Sequence, residues 1–540
     1  MGDRIEVCPR ISDHPSQRRE PLTRVSFCSI PDGNEPVAKR DYPLSLPRKP
    51  NMPTAGGTIS QRKLVKTRII ATVGPACEDA DTLRELIIAG VDIFRLNFAH
   101  GSHEWLGGIL ARIREVSLEI KTPVGVLGDL SGPKIRLGEI AGGEVRCNEG
   151  DIFRFTRETE SDDPYNLTCT YEKLIDDVNP GDRILLADGT VGMIVESKSG
   201  DGRSVTCVVA DSGVIRSRQG VNLPGVALST PSVTEKDEDD LKWALENKLD
   251  FIGLSFVRSA KDITHLKSLI ARQKPEVIPT VVAKIEKTEA IDDLENILKV
   301  TDAVMVARGD LGVEAEISRV PILQKEIISR CNASRIPVIT ATQMLDSMTN
   351  NDLPTRAEVS DVANAAIDGT DAVMLSGETA IGAHPVACVR MMQKIVNEAD
   401  PFVTARSRGI DLSQEFRRAN PITEAVSLGA TVVADKLNAD LIVIATDSGR
   451  TALALSELRG KVPILAVTHR EDTVRRLCLY WGVTGIQSKL VRQSADALLQ
   501  YVVQWGLDNN VLKTGDKIVV VGRTNWQEAG HDLMMVHVVP

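Results

Sequence analysis

The sequence lacks paired cysteines, long apolar runs and an apolar leader. Its nine cysteines are scattered over 540 residues, and no two of them form a C-x-x-C pair. This spacing argues against a disulfide framework and against a cysteine-based zinc site, and it fits a reducing compartment. No run of about 18 apolar residues occurs, and the first residues contain no apolar segment typical of a secretory signal. We therefore expect a cytoplasmic protein with no membrane partner.

Several classes of function are disfavoured by charge and by missing motifs. The net charge of −10 argues against sequence-independent nucleic-acid binding, which needs a basic surface. Neither a Ser-His-Asp order nor an H-E-x-x-H motif competes for the site chemistry described below. With 42% hydrophobic and 26% charged residues, the composition is that of a globular protein, and the length predicts about three domains.

Residues 1–62 differ from the rest because they are rich in Pro, Arg and Ser and have almost no hydrophobic periodicity. This pattern predicts a flexible N-terminal extension. An organelle-targeting peptide is the functional alternative, which would change the expected location. Four acidic residues argue against it, because such peptides are usually poor in acid: Asp3, Glu6, Asp13 and Glu20.

Eight short apolar runs alternate with helical patterns, and such runs predict parallel strands that are buried on both faces. The runs are RIIATVG (68–74), DIFRLNF (92–98), VGVLGDL (124–130), FIGLSFV (251–257), TVVAKIE (280–286), DAVMVARG (302–309), PVITATQ (337–343) and DAVMLSGE (371–378). Eight strand–helix units in series predict an α/β fold with a (β/α)8 TIM barrel, formed by residues 63–138 and 229–397.

The two remaining segments predict two further domains. Residues 139–228 contain shorter alternating runs and turn signals such as Asp188-Gly189, which predict a small inserted β-barrel domain that serves as a lid. Residues 398–540 return to apolar runs separated by helical patterns, at 441–447, 463–469 and 517–523. They predict a C-terminal open α/β domain.

Polar residues collect where the predicted barrel strands end, which is the face where barrel enzymes build their sites. They are Arg95, Asn97, Asp129, Ser255, Lys284, Glu286, Arg308, Asp310, Thr342, Gln343, Ser376 and Glu378. Two of the carboxylates, Glu286 and Asp310, suit Mg²⁺, with Mn²⁺ as an alternative occupant. The neighbouring arginines and Lys284 suit a phosphate or carboxylate ligand. Together they indicate phosphoryl transfer, which needs mainly positioning and electrostatic stabilisation.

From Lys66 to Val539 the sequence resembles the pyruvate kinase family, and ten motifs carry the resemblance in order. They are ATVGPA (71–76), FRLNFAHG (94–101), GDLSGPKIRLG (128–138), GVNLPG (220–225), LSFVR (254–258), KIE (284–286), MVARGDLGVE (305–314), ATQML (341–345), PTRAEVSDVANA (354–365) and MLSGETA (374–380). The resemblance implies an enzyme that transfers a phosphoryl group from phosphoenolpyruvate to ADP, giving pyruvate and ATP in the final step of glycolysis.

The resemblance also implies roles for the substrate-binding residues. Lys284 would stabilise the phosphoryl group in flight, and Arg95 and Arg136 would grip it, while Glu286 and Asp310 hold Mg²⁺. Three groups would seat or protonate the rest of the substrate, namely the backbone at Gly309 and Asp310 and the hydroxyl of Thr342. A proton route through Ser376 and Glu378 is a further implication.

Nucleotide binding is implied for a second set of residues, which are Pro75, Asn97, His100 and Arg136. In one respect the chain departs from many members, because Gln219 stands where they have a lysine near the nucleotide phosphates. The preferred nucleoside diphosphate is therefore left open.

A second departure concerns the monovalent cation that many members require. Ala99 lacks a hydroxyl ligand, Leu130 replaces a Thr and Lys134 replaces a Glu. The resemblance at Leu130 and Lys134 is to members that work without K⁺, so the Lys134 ammonium would replace that ion near Asn97 and Asp129. The alternative is that Lys134 points to solvent and a weak cation site remains.

In the C-terminal domain, one loop resembles the effector loop of regulated pyruvate kinases. It comprises Thr446, Ser448, Gly449, Arg450 and Thr451, with residues 523–532 expected nearby. The resemblance implies a phosphorylated effector and a homotetramer, whereas simple helix capping is the structural alternative. Two other functions remain open, namely a catalytically impaired regulatory homologue and another enolate-handling Mg²⁺ barrel enzyme.

Overall fold

The computed structural model describes residues 66–158, 161–226, 229–406, 420–492, 494–524 and 530–540. The predicted extension at residues 1–62 lies outside the described residues. The strands and helices are numbered below in chain order.

The first part of the barrel alternates strands and helices, as the sequence predicts. Its elements are β1 (Arg68–Thr72), α1 (Ala80–Ala89), β2 (Ile93–Asn97), α2 (His103–Glu119) and β3 (Gly125–Asp129). Both helices begin at a capping side chain: Asp79 accepts a hydrogen bond from Thr82 N, and Ser102 accepts one from Trp105 N. Such caps satisfy backbone N–H groups that have no partner inside the helix.

The insertion after β3 folds as a β domain, because buried and exposed residues alternate along its strands. Its elements are β4 (Glu144–Cys147), β5 (Ile152–Thr156), β6 (Asn166–Leu167), α3 (Leu174–Asp177), β7 (Arg183–Leu186), β8 (Val191–Lys198), β9 (Ser204–Asp211), β10 (Gly213–Arg216) and β11 (Val221–Asn222). Six strands form one sheet in the order β11-β7-β8-β9-β5-β6, and β10 pairs with β4. In β9, Val205, Cys207 and Val209 are buried while the residues between them are more exposed, so one face packs against the domain core.

The chain then completes the barrel. The elements are α4 (Glu235–Glu246), β12 (Phe251–Leu254), α5 (Ala260–Gln273), β13 (Thr280–Ile285), α6 (Thr288–Asp292), α7 (Leu294–Val300), β14 (Ala303–Ala307), α8 (Arg308–Glu314), α9 (Val320–Ala333), β15 (Val338–Ala341), α10 (Arg356–Asp368), β16 (Ala372–Leu375), α11 (Gly377–Ala380) and α12 (Pro385–Arg406). Eight parallel strands close in the order β1-β16-β15-β14-β13-β12-β3-β2. The prediction of a (β/α)8 barrel is confirmed.

Apolar side chains fill the barrel interior, which leaves no room for a polar site there. Ile70, Leu127, Val282, Met305 and Met374 are all almost fully buried and belong to one cluster. Each predicted apolar run continues one to three residues past its strand, because those last residues leave the sheet and enter the loop. The polar side chains of the last strand residues and of these loops therefore gather at the carboxyl ends of the strands.

The C-terminal domain is an open α/β sheet, as predicted. Its elements are α13 (Pro421–Leu437), β17 (Leu441–Ala445), α14 (Arg450–Ser456), β18 (Ile464–Thr468), α15 (Glu471–Arg476), β19 (Val483–Gln487), α16 (Ala495–Asp508), β20 (Lys517–Gly522) and β21 (Leu533–Val538). The strand order is β19-β18-β17-β20-β21, and only β21 runs antiparallel to its neighbour. The sequence pattern missed β19 and β21, which lie at the two edges and are only partly buried, so neither is a continuous apolar run.

The domain boundaries at 138/139, 228/229 and 397/398 stay predictions. Helix α12 continues from Pro385 to Arg406, across the last of these positions, with Pro401 inside the helix. Within the described ranges, no helix combines the length and the apolar character that a membrane span requires.

Candidate active site

Lys284 lies at the centre of the polar groups at the carboxyl end of the barrel. Its Nζ lies 2.9 Å from Glu286 Oε1 and 3.3 Å from Asp129 Oδ1, and it donates a hydrogen bond of 2.7 Å to Ser255 Oγ. Burial by itself would lower the pKa of Lys284, but the charges of Asp129 and Glu286 raise that pKa above its ordinary value. The lysine is therefore a fixed positive charge at neutral pH.

Arg95 shares one of the carboxylates that hold Lys284. Its Nε and Nη2 lie 2.7 Å and 2.6 Å from Asp129 Oδ2, and its Nη1 donates to Thr72 Oγ1 at 3.2 Å. Burial would raise the pKa of Asp129, but the charges of Lys284 and Arg95 hold that pKa below its ordinary value. An ionised Asp129 thus links two cations that come from strands β2 and β13, with β3 and β12 between them in the sheet.

Asp310 is close enough to Glu286 for its charge to affect the pKa of Glu286. Burial raises the pKa of Glu286, the charge of Asp310 raises it further, and Lys284 opposes both effects. Glu286 Oε2 accepts a hydrogen bond from Phe256 N at 2.8 Å, whereas the Asp310 carboxylate forms no hydrogen bond or ion pair with the described residues. Two neighbouring carboxylates, one of them without a protein partner, fit a divalent cation that keeps other positions for water and substrate.

The part of the chain that the structure describes contains no larger cluster of metal-ligating side chains. Among the described residues, no group of three or more His, Cys, Asp or Glu side chains is arranged to hold a metal ion. A cation at Glu286 and Asp310 would therefore take most of its ligands from solvent and substrate. This is the usual way in which Mg²⁺ is bound in phosphoryl-transfer sites.

The loops after β14 and β15 meet at Thr342. Its Oγ1 accepts a hydrogen bond from Gly309 N at 2.8 Å and donates one to Ala341 O at 2.6 Å. Thr342 and Gln343 have φ angles of +67° and +53°, a region that side chains with a Cβ adopt only under constraint.

Arg308 supplies that constraint. Its Nη2 donates to Thr342 O at 2.7 Å and to Gln343 O at 2.8 Å, and its Nη1 contacts Asp361 Oδ2 at 2.6 Å. Arg308 thereby fixes the backbone that presents the Thr342 hydroxyl.

Of the other residues predicted to bind nucleotide, Asn97 and Arg136 lie near His100, whose backbone N donates to Asn97 O at 3.1 Å. Burial lowers the pKa of His100, and the nearby charges of Arg136, Arg95 and Lys134 lower it further. A neutral imidazole surrounded by three cations suits an anionic ligand. Pro75 is exposed, whereas Asn97 uses its Oδ1 to accept a hydrogen bond from Ala99 N at 3.1 Å. The structure therefore gives Asn97 a local role in the turn.

Lys134 is exposed, and its ammonium forms no hydrogen bond or ion pair with any described residue, although its backbone N donates to Gly132 O at 2.8 Å. Its stem passes Gly220, where an added Cβ would lie 3.6 Å from Lys134 Cε. Contact with Asn97 or Asp129 is thus not formed in this structure, and Asp129 is held by Arg95 and Lys284. Leu130 is buried in the barrel core. The cation-substitute role of Lys134 stays a prediction.

The inserted domain contacts the barrel beside the site. Asn222 Nδ2 lies 3.4 Å from Glu314 Oε1, and Glu314 forms a buried ion pair with Lys287 at 2.6 Å. Gly189, in a turn with φ of +85°, approaches Val313, so that an added Cβ would lie 3.5 Å from Val313 Cγ1. Residues in the middle and near the end of the insertion therefore contact the end of α8.

Four of the five predicted effector residues line a cavity of about 300 Å³ together with Arg523 and His531, and Gly449 does not line it. We call it the effector cavity. Thr446 Oγ1 accepts a hydrogen bond from Gly449 N at 3.0 Å, and Thr451 Oγ1 lies 3.0 Å from His531 Nδ1. Residues 525–529 of the neighbouring predicted loop lie outside the described residues.

Four contributions to these sites could not be predicted from the sequence. Ser255 and Arg308 were recognised as polar residues at strand ends, but nothing local showed that Ser255 anchors Lys284 or that Arg308 fixes the Thr342 loop. Phe256 contributes through its backbone N–H, with a φ of +53°. A backbone contribution leaves no signal in the side-chain pattern. His531 could have been found only as a lone polar residue near the effector loop.

The strand ends of the closed barrel carry a fixed lysine, arginines and paired carboxylates. Together these features define a (β/α)8-barrel enzyme that acts on an anionic substrate. The family description "Pyruvate kinase, barrel domain" matches residues 64–389, and "Pyruvate kinase, alpha/beta domain" matches residues 424–537. The chain belongs to the pyruvate kinase family.

Individual relatives agree over most of the chain. It is 45% identical over 477 residues to pyruvate kinase 2 of Synechocystis sp., which covers 88% of this chain and 79% of that protein. It is 40% identical over 480 residues to the pyruvate kinase of Bacillus licheniformis, with 88% and 80% covered. A crystal structure of a pyruvate kinase from Cryptosporidium parvum superposes with a TM-score of 0.83 at 32% identity, covering 90% of this chain and 98% of that chain.

Proposed function

We propose that this enzyme catalyses Mg²⁺-dependent phosphoryl transfer from phosphoenolpyruvate to ADP, without a requirement for K⁺. The observation that carries the proposal is the position of Lys284, which is held by Ser255, Glu286 and Asp129 beside the partly free carboxylate of Asp310. Phosphoryl transfer needs a preorganised positive charge where negative charge develops, and a buried ammonium fixed on three sides provides one.

In the proposed reaction, an oxygen of the ADP β-phosphate attacks the phosphorus of phosphoenolpyruvate, the bond to the enol oxygen breaks, and pyruvate forms when the enolate carbon takes up a proton. Lys284 and Arg95 face the phosphoryl group, and Arg136 approaches it from the nucleotide side near His100. Mg²⁺ held by Glu286 and Asp310 would offset charge on the substrate oxygens.

The substrate carboxylate would lie against the Gly309 backbone and the Thr342 hydroxyl, with the backbone of Asp310 next to them. The 2.8 Å hydrogen bond between Gly309 N and Thr342 Oγ1 supports this placement only in that it brings the two groups side by side; the Gly309 N–H and the Thr342 hydroxyl, which now donates to Ala341 O, would both turn to the carboxylate when substrate binds. Thr342 would also take part in the route of the proton to the enolate carbon. The lid would exclude water from the transferring phosphoryl group.

Independence from K⁺ is supported by the residue types at the cation position and not by an observed contact of Lys134. Ala99 and Leu130 remove ligand oxygens, and Arg95 with Lys284 already neutralises Asp129. Lys134 raises the positive charge near His100. A K⁺ ion would therefore find little uncompensated negative charge at this position.

The deciding experiment measures pyruvate formation from phosphoenolpyruvate, ADP and Mg²⁺ in buffer free of K⁺ and NH₄⁺, and again with K⁺ added. We expect full activity in both buffers, and loss of activity without K⁺ in the Lys134→Glu variant. Activity of the parent enzyme only with K⁺ would leave the reaction standing and reject the role of Lys134. No activity in either buffer would reject the catalytic proposal.

Regulation and assembly complete the proposal. A phosphorylated effector would bind the effector cavity, where Arg450 and Arg523 supply charge and Thr446 and Thr451 supply hydroxyl groups. A homotetramer is supported by large apolar side chains that are exposed on the C-terminal domain, among them Ile422 and Val538. Light scattering of the purified enzyme tests the assembly.

A further inference from the structure

A second cavity, of about 550 Å³, lies between the barrel and the C-terminal domain. We call it the basal cleft, because its barrel side is formed at the amino ends of the strands, away from the candidate active site. Thr280 begins β13 and Asp302 directly precedes β14. The opposite wall comes from α14 and α15, with Arg450 and Arg476. The volume is within the range of small-molecule sites.

The charged residues that line the basal cleft are predominantly basic. Two lysines and three arginines line it, against two carboxylates. Each carboxylate is taken up by one of these cations: Lys267 Nζ lies 2.7 Å from Asp302 Oδ1, and Arg335 Nη1 lies 2.8 Å from Glu424 Oε2. Three positive charges remain.

The remaining cations are Lys299, Arg450 and Arg476, and none of them forms an ion pair with a described residue. Arg476 Nη2 donates to Ile278 O at 3.2 Å, but its Nε is buried without a hydrogen-bond partner. A buried N–H group without an acceptor is costly, so an acceptor is expected in the cleft. Three cations from two domains around one cavity suit a multiply charged anion.

The rest of the wall is suited to the body of an organic ligand. Pro279, Val300, Leu453 and Ala454 present apolar surface, and Tyr480 adds an aromatic ring. An inorganic anion alone would leave this surface and most of the volume unused. The ligand class that fits is therefore a phosphate group attached to a body about as large as a sugar or a nucleoside.

We propose that the basal cleft is a binding site for a small phosphorylated metabolite, separate from the effector cavity, with its phosphate held by Lys299, Arg450 and Arg476. Ser448 and Arg450 line both cavities, so a ligand in one fixes a side chain that the other uses. The site rests on the cleft alone and does not depend on the proposed catalytic roles.

The position of the cleft gives its occupant a physical connection to catalysis. Strands β13 and β14 begin at the cleft, and their other ends lead to Lys284 and to Gly309 and Asp310. A ligand at Thr280 and Asp302 therefore contacts the same two strands that position the candidate active site.

The test combines a crystallographic probe and a solution probe on the full chain. Crystals soaked in tungstate, a heavy tetrahedral anion, should show an anomalous peak between Lys299, Arg450 and Arg476. In solution, fructose 6-phosphate should bind and unphosphorylated fructose should not, as measured by calorimetry. Absence of the tungstate peak from the cleft together with no binding of the sugar phosphate overturns the proposal.

Variants separate the basal cleft from the effector cavity. Lys299→Gln, an exposed position that should not disturb folding, and Arg476→Gln should each weaken fructose 6-phosphate binding at the cleft about ten-fold. Arg523→Gln should affect only binding at the effector cavity, and Lys513→Gln, an exposed lysine that lines neither cavity, should change nothing. Equal affinity in the parent enzyme, Lys299→Gln and Arg476→Gln would contradict the assignment.

Discussion

Replacing Lys284 by Met tests the centre of the proposed site, because it removes one charge and leaves a side chain of similar length. The parent ammonium contacts Glu286, Asp129 and Ser255 at 2.9, 3.3 and 2.7 Å. Both carboxylates are almost completely buried, so the substitution takes a cation away from two buried anions.

The substitution should cause two separate losses, one in catalysis and one in stability. Removing a preorganised charge from a transferring phosphoryl group should cost about 3 kcal/mol of transition-state stabilisation, which is a fall of about 100-fold or more in kcat. Breaking a buried ion pair costs about 3–5 kcal/mol of folding free energy. We expect the lower end of that range, because Asp129 keeps Arg95 at 2.6 Å and Glu286 can take up a proton, its pKa being already raised by burial.

The assay follows pyruvate formation at saturating phosphoenolpyruvate and ADP, with thermal unfolding measured in parallel. Lys287→Met is the matched control, since Lys287 lies three residues further on and is also buried in an ion pair, with Glu314 at 2.6 Å. The control should lose stability comparably and keep most of its kcat. If Lys284→Met retained kcat within a few fold of the parent, or if the control lost as much, the reasoning about Lys284 would be refuted.

Three further predictions concern the metal, the Thr342 loop and the C-terminal domain. Glu286→Gln should weaken Mn²⁺ binding, measured by electron paramagnetic resonance, at least about ten-fold; unchanged affinity would place the metal elsewhere. Arg308→Lys should lower kcat roughly 10- to 100-fold while leaving Mn²⁺ affinity unchanged, because a single ammonium lacks the planar fork that reaches Thr342 O, Gln343 O and Asp361 at once. Burial lowers the pKa of His531, so the unfolded chain takes up a proton first as the pH falls below about 6.5, and stability is lost in that range. His531→Asn should therefore show a weaker fall in melting temperature between pH 7 and pH 5 than the parent, and parallel curves would reject this explanation.

The eight barrel strands could be predicted because each is a continuous apolar run, and only a strand buried on both faces requires that pattern. The edge strands β19 and β21 escaped prediction for the same reason, since an edge strand is only partly buried and need not be continuously apolar. Alternating segments and turn signals likewise predicted the inserted β domain at residues 139–228, where the structure has strands from Glu144 to Asn222.

The identity of the polar residues at the strand ends was also local information. Lys284, Glu286 and Asp310 stand immediately after or near the end of apolar runs, and barrel closure brings all such positions to one face. Their chemistry, a lysine beside two carboxylates, indicated a cation and an anionic substrate before any distance was known.

What the sequence determined by itself was therefore the fold class, the face of the barrel that carries the site, and the residue types gathered there. Only the tertiary structure decided which of these residues touch. The link from Arg95 through Asp129 to Lys284 depends on the register of four neighbouring strands, and the support of Thr342 by Arg308 depends on two loops meeting. The basal cleft joins Lys299 and Arg476, which lie far apart in the chain. Side-chain contacts between distant segments are set by the packing and closure of the whole fold, and no local pattern records them.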